Sequence, residues 1–309
     1  MKPLATLATS KKPFFFITDF LGKNLQYFPL DELNKYNISF DFSSENTKEH
    51  SQRLEIIKPS FDIYKKGFNR VIEAIKRGET YVLNYTQKSE VKTDLTLKEI
   101  YTLANAKYKL YFQDKFVCFS PETFITIKEN TIHTFPMKGT IDANIDDALN
   151  TILKDEKELA EHTMIVDLLR NDISLVASDV TVNTFRYADT ILAGDKELIQ
   201  ISSHIQGKLP DNWKENFDDI LHKLLPAGSI SGAPKKSTVE HILEIENYNR
   251  GYFSGVMGYF DGENLFSSIM IRFIDKENGT LYYKSGGGIT IDSDVHKEYQ
   301  ELIDKIYIP

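Results

Sequence analysis

Two pairs of glutamates have a spacing that could form a metal site. Glu158 and Glu161 lie in one predicted helix, and Glu298 and Glu301 repeat the same spacing close to residue 309. An i, i+3 spacing places both carboxylates on one face of a helix. Carboxylate oxygens are the hard ligands that Mg²⁺ prefers, so two such faces across a cleft would suit this ion. The spacing alone is more typical of a solvated helix face in an acidic protein.

A lysine and a glutamate near strand-like segments could perform acid, base or nucleophile chemistry. Lys138 follows the strand-like residues 131–135 and precedes Gly139. In a partly desolvated cleft the pKa of a lysine falls, and the neutral amine becomes a nucleophile. Glu122 would be its acid–base partner if the two strand-like segments pair. On an open surface Lys138 would be an ordinary cation.

Three further segments could bind an anion. Arg272, in the predicted strand 265–274, is suited to bidentate contact with a carboxylate or to a structural salt bridge. The glycines at 286–288 follow a strand-like segment and predict either converging backbone N–H groups or a flexible turn. Residues 229–235 resemble a loop that enters a helix N-terminus, which is an anion site or an ordinary cap.

Composition excludes several classes of protein. The 309 residues carry 37 Lys plus Arg against 45 Asp plus Glu, a net charge of −8, which argues against a nucleic-acid or anionic-membrane binder. No apolar run is long enough to span a bilayer, and the start of the chain does not resemble a secretory signal. The single cysteine, Cys118, excludes an internal disulfide. We therefore expect a globular, cytoplasmic protein in which the seven histidines are structural or surface residues.

The elements that must position these residues form an α+β pattern. Apolar periodicity predicts helices over 61–78, 157–169 and 213–224, and another that begins near Pro234. Strand-like segments cover 108–119, 124–135, 252–260, 265–274 and 281–285, with turn signals at Asp261-Gly262 and Asn278-Gly279. These signals predict antiparallel hairpins in a layered architecture. Without a linker or repeat, we predict one domain over 1–309, with a short N-terminal portion (1–60) before a core (61–309).

Eight segments, taken together and in order, resemble the chorismate-utilising enzymes, and most closely the aminodeoxychorismate synthase component I (para-aminobenzoate synthase large subunit) branch. They are residues 78–86, 120–122, 136–140, 161–172, 229–235, 271–272, 286–289 and 298–301. The resemblance implies an α/β/β/α sandwich of largely antiparallel sheets with the active site in a central cleft.

The resemblance also implies the site residues. Glu161 and Glu301 would bind Mg²⁺, with Glu158 and Glu298 beside them or acting through water. The metal, Ser229 and Lys305 would hold the ring carboxylate of chorismate. The enolpyruvyl carboxylate would be held by Arg272 and by backbone N–H groups of Gly286, Gly287 and Gly288.

Lys138 separates the branches of this family. Anthranilate and isochorismate synthases usually carry alanine at the matching position. The resemblance implies that the Lys138 amine adds to ring C2 as the C4 hydroxyl leaves, protonated by Glu122, and that ammonia then enters at C4 and expels the lysine. Val82 stands where isochorismate and salicylate synthases have a lysine base, which argues against hydroxylation at C2.

The implied activity is Mg²⁺-dependent amination of chorismate to 4-amino-4-deoxychorismate, in para-aminobenzoate and folate biosynthesis. No amidotransferase segment is recognisable, so we expect ammonia from a separate glutamine amidotransferase subunit. Gln200, where the family often has histidine, and Phe253, where it usually has tyrosine or tryptophan, affect the expected product partitioning; His204 stands close to Gln200. Two alternatives remain: anthranilate synthase component I, and an inactive chorismate-binding subunit.

Overall fold

Two antiparallel β-sheets, each covered by its own helices, form the protein. The computed structural model describes residues 3–42, 54–193 and 196–309. The helices are α1 (Pro3–Thr9), α2 (Phe61–Lys76), α3 (Leu97–Leu103), α4 (Ala148–Lys154), α5 (Glu156–Ser174), α6 (Phe217–Leu224), α7 (Lys235–Ile245) and α8 (Val295–Asp304). The strands are β1 (Phe14–Thr18), β2 (Gln26–Pro29), β3 (Ile38–Asp41), β4 (Glu55–Ile57), β5 (Val82–Lys92), β6 (Tyr108–Phe112), β7 (Phe116–Ser120), β8 (Thr123–Lys128), β9 (Thr131–Thr134), β10 (Met137–Asp142), β11 (Ser178–Ala193), β12 (Lys196–Lys208), β13 (Gly232–Ala233), β14 (Val256–Phe260), β15 (Leu265–Ile269), β16 (Phe273–Glu277) and β17 (Thr280–Ile289).

The strand order shows how the chain divides between the sheets. The first sheet runs β10-β12-β9-β8-β15-β14-β1-β2, with β11 on the other edge of β12. The second sheet runs β13-β5-β17-β16-β7-β6-β3, with β4 beside β5. The helices α4 and α5 contact the first sheet, and α2, α3, α7 and α8 contact the second. The predicted α+β fold of layered antiparallel sheets is confirmed, and so are the hairpins at Asp261-Gly262 and Asn278-Gly279.

Apolar side chains from both sheets pack between them. Phe15 and Met257 come from the first sheet, and Cys118 and Phe273 come from the second; all four are fully buried or nearly so. Each large apolar side chain buried in this way stabilises the fold by about 1.5–3 kcal/mol. Because β1, β2 and β3 belong to the two sheets, residues before position 61 are part of this packing.

Most predicted helices are confirmed. Helix α2 buries the face that carries Tyr64, Phe68 and Val71. Helix α5 is longer than predicted and begins after Asp155, whose side chain accepts the backbone N–H of Glu158. The predicted helix 213–224 is a 3₁₀ turn followed by α6, and α7 begins after Pro234 as expected. Among the described residues, no helix has both the length and the apolarity that a membrane crossing requires.

The predicted strand 265–274 is wrong as one element. β15 ends at Ile269 in the first sheet, and β16 begins at Phe273 in the second. Arg272 lies between them with φ of 52°, a backbone conformation that ends a strand. The predicted strand 252–260 likewise begins only at Val256. Apolar patterning did not reveal the break at Arg272 because apolar residues on both sides of it, such as Ile269 and Phe273, are buried.

Candidate active site

Glu122 and Arg272 lie where the chain passes from one sheet to the other. Glu122 stands between β7 and β8, and Arg272 stands between β15 and β16. The Ile269 N–H and the Ser268 hydroxyl donate to the backbone carbonyl of Glu122, at 3.2 and 2.9 Å. The two crossings are therefore tied together through the main chain.

The Glu122 carboxyl group is set up as an acid. Burial raises its pKa, and the Ser229 hydroxyl, Arg272 and Lys305 offset only part of this effect. The Ser229 hydroxyl donates to Glu122 Oε1 at 2.5 Å. An upward pKa shift is the one expected for a carboxylic acid that donates a proton in catalysis. Ser229, which is predicted to help hold a ring carboxylate, contacts this carboxyl group, and its role toward a substrate stays a prediction.

Lys138 lies among the four glutamates. Its Nζ is 2.8 Å from Glu161 Oε2 on α5. Electrostatic interactions also link it to Glu158 on the same helix and to Glu298 and Glu301 on α8. Since α5 covers the first sheet and α8 the second, the fold brings both predicted glutamate pairs to one lysine.

The expected pKa of Lys138 is wrong in this arrangement. Burial lowers the pKa, as predicted, but Glu161, Glu301 and Glu158 outweigh burial and raise it above the ordinary value. Lys138 is therefore held as an ammonium ion. The sequence could not reveal this because the effect depends on distances between elements that are far apart in the chain.

The carboxylate oxygens of the four glutamates are of a type and charge that suit a divalent cation. Glu158 Oε2 is buried and has no hydrogen-bond partner. Burial and the neighbouring glutamate raise the pKa of both Glu158 and Glu298, which shows that negative charge is under-compensated there. Carboxylate oxygens are the ligands Mg²⁺ prefers. No three His, Cys, Asp or Glu side chains within residues 3–42, 54–193 and 196–309 lie close enough to share one ion, so Mg²⁺ stays a prediction.

Two more cations lie beside the glutamates. Lys305 Nζ is 2.7 Å from Glu301 Oε1 and donates to the Gly286 carbonyl at 2.8 Å. Burial lowers the pKa of Lys305 despite Glu301, and Arg272 and Lys138 add to this effect through repulsion. An anion beside Lys305 would offset its repulsion by Lys138 and Arg272.

The predicted glycine loop is instead part of a strand. Gly286, Gly287 and Gly288 lie in β17 and pair with β5. β16 pairs with β17 only as far as Lys284, so one edge of β17 is free of β16 at these glycines. A Cβ on Gly287 would lie 3.5–3.6 Å from Glu301 Oε1, Glu298 Oε2 and Lys305 Nζ. This strand therefore presents bare backbone toward the charged cluster.

His162 and Ser203 also belong to the site, although His162 was predicted to be a structural or surface residue and Ser203 was not selected. His162 is fully buried, and its ring nitrogens contact the Lys138 carbonyl at 3.1 Å and the Ser203 hydroxyl at 2.7 Å. Burial lowers its pKa, so the ring is neutral near pH 7. His50 lies outside the described residues. Ser203 was not selected as a site residue, because only the pairing of β12 with its neighbours brings it here.

Four other residues singled out in the sequence have partners outside this cluster. Lys235, at the start of α7, pairs with Asp172 at 2.7 Å. Gln200 lies opposite Thr140 in β10. His204 lies farther along β12, where it contacts His133 at 3.0 Å. Phe253 is buried against Phe273 in the core between the sheets.

The chain is similar to known proteins over most of its length. A family model described as chorismate binding enzyme matches residues 29–308. The chain is 45% identical over 304 residues to a Haemophilus influenzae protein named "Uncharacterized PabA-like protein", covering 97% of this chain and 93% of that one.

Two characterised types of synthase are also similar. The Bacillus subtilis aminodeoxychorismate synthase component 1 is 33% identical over 260 residues, covering 78% of this chain and 54% of that one. The crystal structure of anthranilate synthase component I from Streptococcus pneumoniae superposes with a TM-score of 0.70 at 28% identity, covering 85% of this chain and 60% of that one. The chain thus spans little more than half the length of these synthases.

Proposed function

Because the chain belongs to the family of chorismate binding enzymes, we propose that it aminates chorismate at C4 to give 4-amino-4-deoxychorismate. The observation that carries this proposal is the position of Lys138. Its Nζ lies 2.8 Å from Glu161 and interacts with glutamates from both α5 and α8. The resemblance implies that lysine at this position, where anthranilate and isochorismate synthases usually have alanine, distinguishes the aminating branch.

The cationic side chains and the free edge of β17 would hold the substrate. Chorismate carries two carboxylates, and Lys305 and Arg272 supply positive charge at two points beside Lys138. Arg272 can bind a carboxylate with two parallel hydrogen bonds. Backbone N–H groups around Gly287 would add neutral donors without steric hindrance.

The metal would be held by Glu161 and Glu301, with Glu158 and Glu298 beside them. When bound, Mg²⁺ supplies positive charge that neutralises the ring carboxylate and weakens the hold of the glutamates on the Lys138 proton. Glu158 Oε2, which has no hydrogen-bond partner among the described residues, is available to such a cation.

Lys138 and Glu122 would carry the covalent chemistry. The Lys138 ammonium, whose side chain is 40% exposed, first gives its proton to solvent water, and the neutral amine forms a bond to ring C2. The ring double bonds shift, the C4–O bond breaks, and Glu122 gives its proton to the departing hydroxyl, which leaves as water. Ammonia then bonds to C4, the double bonds shift back, and the C2–N bond to Lys138 breaks. The raised pKa of Glu122 keeps the proton available for this step.

The test is incubation of the full chain with chorismate, MgCl₂ and an ammonium salt, with mass spectrometry of products. Lys138→Ala should abolish the aminated product and any chorismate-derived adduct on the protein. Lys157→Ala is the matched control, because Lys157 also faces Glu161, at 3.6 Å, but is 60% exposed. Unchanged turnover in Lys138→Ala would contradict the covalent role.

Anthranilate formation is the second candidate, favoured by the similarity to the S. pneumoniae anthranilate synthase structure. The same assay separates the two. Anthranilate carries its amino group at C2 and forms with release of pyruvate, whereas the proposed product keeps the enolpyruvyl group.

We also propose that a separate glutamine amidotransferase subunit supplies the ammonia. Glutamine alone should then support no amination by the purified chain, while ammonium should. Turnover with glutamine as the sole nitrogen source would contradict the need for a partner.

A further inference from the structure

The first sheet is irregular on both sides of one stretch of β12. The register of β10 against β12 shifts between Met137 and Thr140, so Lys138 lies in the irregular segment. On the opposite edge, the register of β11 shifts between Thr184 and Tyr187. A residue within a bulge loses its regular ladder partner, and its backbone polar groups need another.

His162 provides a partner for the backbone carbonyl of Lys138. Its Nδ1 lies 3.1 Å from that carbonyl oxygen, and its Nε2 lies 2.7 Å from Ser203 Oγ. A carbonyl oxygen can only accept, so the ring proton is assigned to Nδ1, and Nε2 accepts the Ser203 hydroxyl proton. The side chain is fully buried, so water does not compete for these contacts.

Ser203 joins this imidazole to the second irregular segment. The Arg186 backbone N–H donates to Ser203 Oγ at 3.0 Å. The Arg186 guanidinium donates to the carbonyls of Ile152 and Leu153 at the end of α4, at 2.9 and 2.8 Å. Because Ser203 Oγ accepts from Arg186 and donates to His162, each hydrogen bond has one allowed direction. The connection runs from α4 to the Lys138 backbone.

Helix α5 therefore holds Lys138 at two points. Glu161 contacts its amine, and His162, the next residue, contacts its carbonyl. The amine must leave Glu161 to reach a substrate, and the backbone contact alone then remains. We propose that His162 is a positioning residue that fixes the Lys138 backbone so that the freed amine reaches the reacting ring carbon. This inference rests on the proposed function, because it concerns the same lysine.

Two substitutions of His162 test its two hydrogen bonds separately, because each can keep only one of them. In His162→Asn the side-chain amide nitrogen can occupy the place of Nδ1 and donate to the Lys138 carbonyl. In His162→Gln the side-chain amide oxygen can occupy the place of Nε2 and accept the Ser203 hydroxyl proton, which keeps only the Ser203 contact. A misplacement of about 1 Å costs on the order of 10²-fold in rate. We expect kcat to fall by about that factor in His162→Gln, with little change in the chorismate KM, and to be largely retained in His162→Asn.

A measurement without substrate keeps this inference separate from the proposed function. Limited acetylation with acetic anhydride, read by peptide mass spectrometry, reports the accessibility of each lysine amine. The Lys138 labelling rate should change several-fold in His162→Gln relative to Lys157 in the same sample, and should match the wild type in His162→Asn. Equal effects of the two variants on labelling and kcat would overturn the inference.

The wild-type protein gives a decisive reading even if both variants unfold. Nitrogen-15 NMR of the histidine rings, assigned by replacing the other histidines one at a time, should show His162 with its proton on Nδ1. A proton on Nε2 would overturn the inference, because that tautomer cannot donate to the Lys138 carbonyl. If the wild type forms neither aminated product nor lysine adduct, the proposed function fails, whereas labelling and NMR still test the backbone contact.

Discussion

At the scale of single residues, the site combines a carboxyl group and an amine whose pKa values are both raised. Burial raises the pKa of Glu122, while three glutamates raise the pKa of Lys138. Lys138 is therefore held as an ammonium ion, and Glu122 loses its proton at a higher pH than an ordinary carboxyl group does. The proposed reaction requires Lys138 to lose its proton and Glu122 to have one. Binding of a cation at the glutamates is the step that would release the Lys138 proton but not the Glu122 proton.

The raised pKa of Glu122 predicts a pH-dependent stability. Below its unfolded-state pKa, near 4.3, the carboxyl group is protonated in both states and has no effect on pH dependence. As pH rises above that value, the unfolded state loses its proton first, so folding free energy is lost until the folded-state pKa is passed. Over that window the loss approaches about 1.4 kcal/mol per pH unit.

The substitution Glu122→Gln should remove this loss of folding free energy at rising pH. Urea unfolding at several pH values from 4 to 8 should show the variant gaining stability relative to the wild type as pH rises. Glu240→Gln, at an exposed position on α7, is the matched control and should show a much smaller trend. A difference between Glu122→Gln and wild type that stays constant with pH would contradict the raised pKa.

At the scale of elements, strand β17 uses neighbouring glycines for different reasons. A Cβ on Gly286 would lie 2.2 Å from the Tyr85 carbonyl oxygen of β5, a severe overlap with backbone. A Cβ on Gly287 meets only side-chain atoms at ordinary contact distance. Gly286 is therefore required for strand pairing, and Gly287 leaves space at the charged cluster.

The two glycines should respond differently to alanine. Gly286→Ala should lower the melting temperature markedly, because β5 or β17 must move. Gly287→Ala should keep the melting temperature close to that of the wild type but weaken chorismate binding, since its methyl group projects toward Glu301 and Lys305. Calorimetry and substrate titration measure the two effects. A Gly287→Ala protein with unchanged affinity would place the substrate elsewhere.

A buried ion pair fixes the segment that connects α7 to β14 of the first sheet. Arg250 and Glu246 have side chains only 2% and 1% exposed, with a shortest separation of 2.6 Å. Arg250 also donates to the carbonyls of Ile230 and Asn84. Removing one partner of such a pair costs about 3–5 kcal/mol, because the other charge stays buried.

Arg250→Met should therefore destabilise the protein by about that amount in urea unfolding. The double variant Arg250→Met/Glu246→Met should lose less unfolding free energy than the two single variants lose together, because it leaves no unpaired buried charge. Strict additivity would indicate that the two side chains do not stabilise each other.

At the scale of the whole molecule, the predicted metal would connect the two layers. Glu161 lies on α5, which covers the first sheet, and Glu301 lies on α8, which covers the second. An ion held by both should stabilise the folded state by about 2.7 kcal/mol at a concentration one hundred times its Kd.

Thermal unfolding with and without MgCl₂ tests this link. The melting temperature of the wild type should rise, and Glu161→Gln or Glu301→Gln should each remove most of the rise. Glu244→Gln, at a side chain that is 67% exposed, should retain it. A rise that survives both site substitutions would place the ion outside this cluster.

Local pattern alone determined much of this protein. The 3.6-residue periodicity predicted α2 and the face of α5 that carries Glu158 and Glu161, and turn residues predicted the hairpins, because these features depend on neighbours in the chain. The eight ordered segments predicted the family, which the match over residues 29–308 shows.

Tertiary structure decided how those elements meet. It broke the predicted strand at Arg272, placed Gly286–Gly288 within β17, and held Lys138 as an ammonium ion among glutamates from two helices. It also brought His162 and Ser203 behind that lysine. Each of these outcomes depends on distances between segments remote in sequence, and the periodicity and spacing of one segment contain no information about which other segment packs against it.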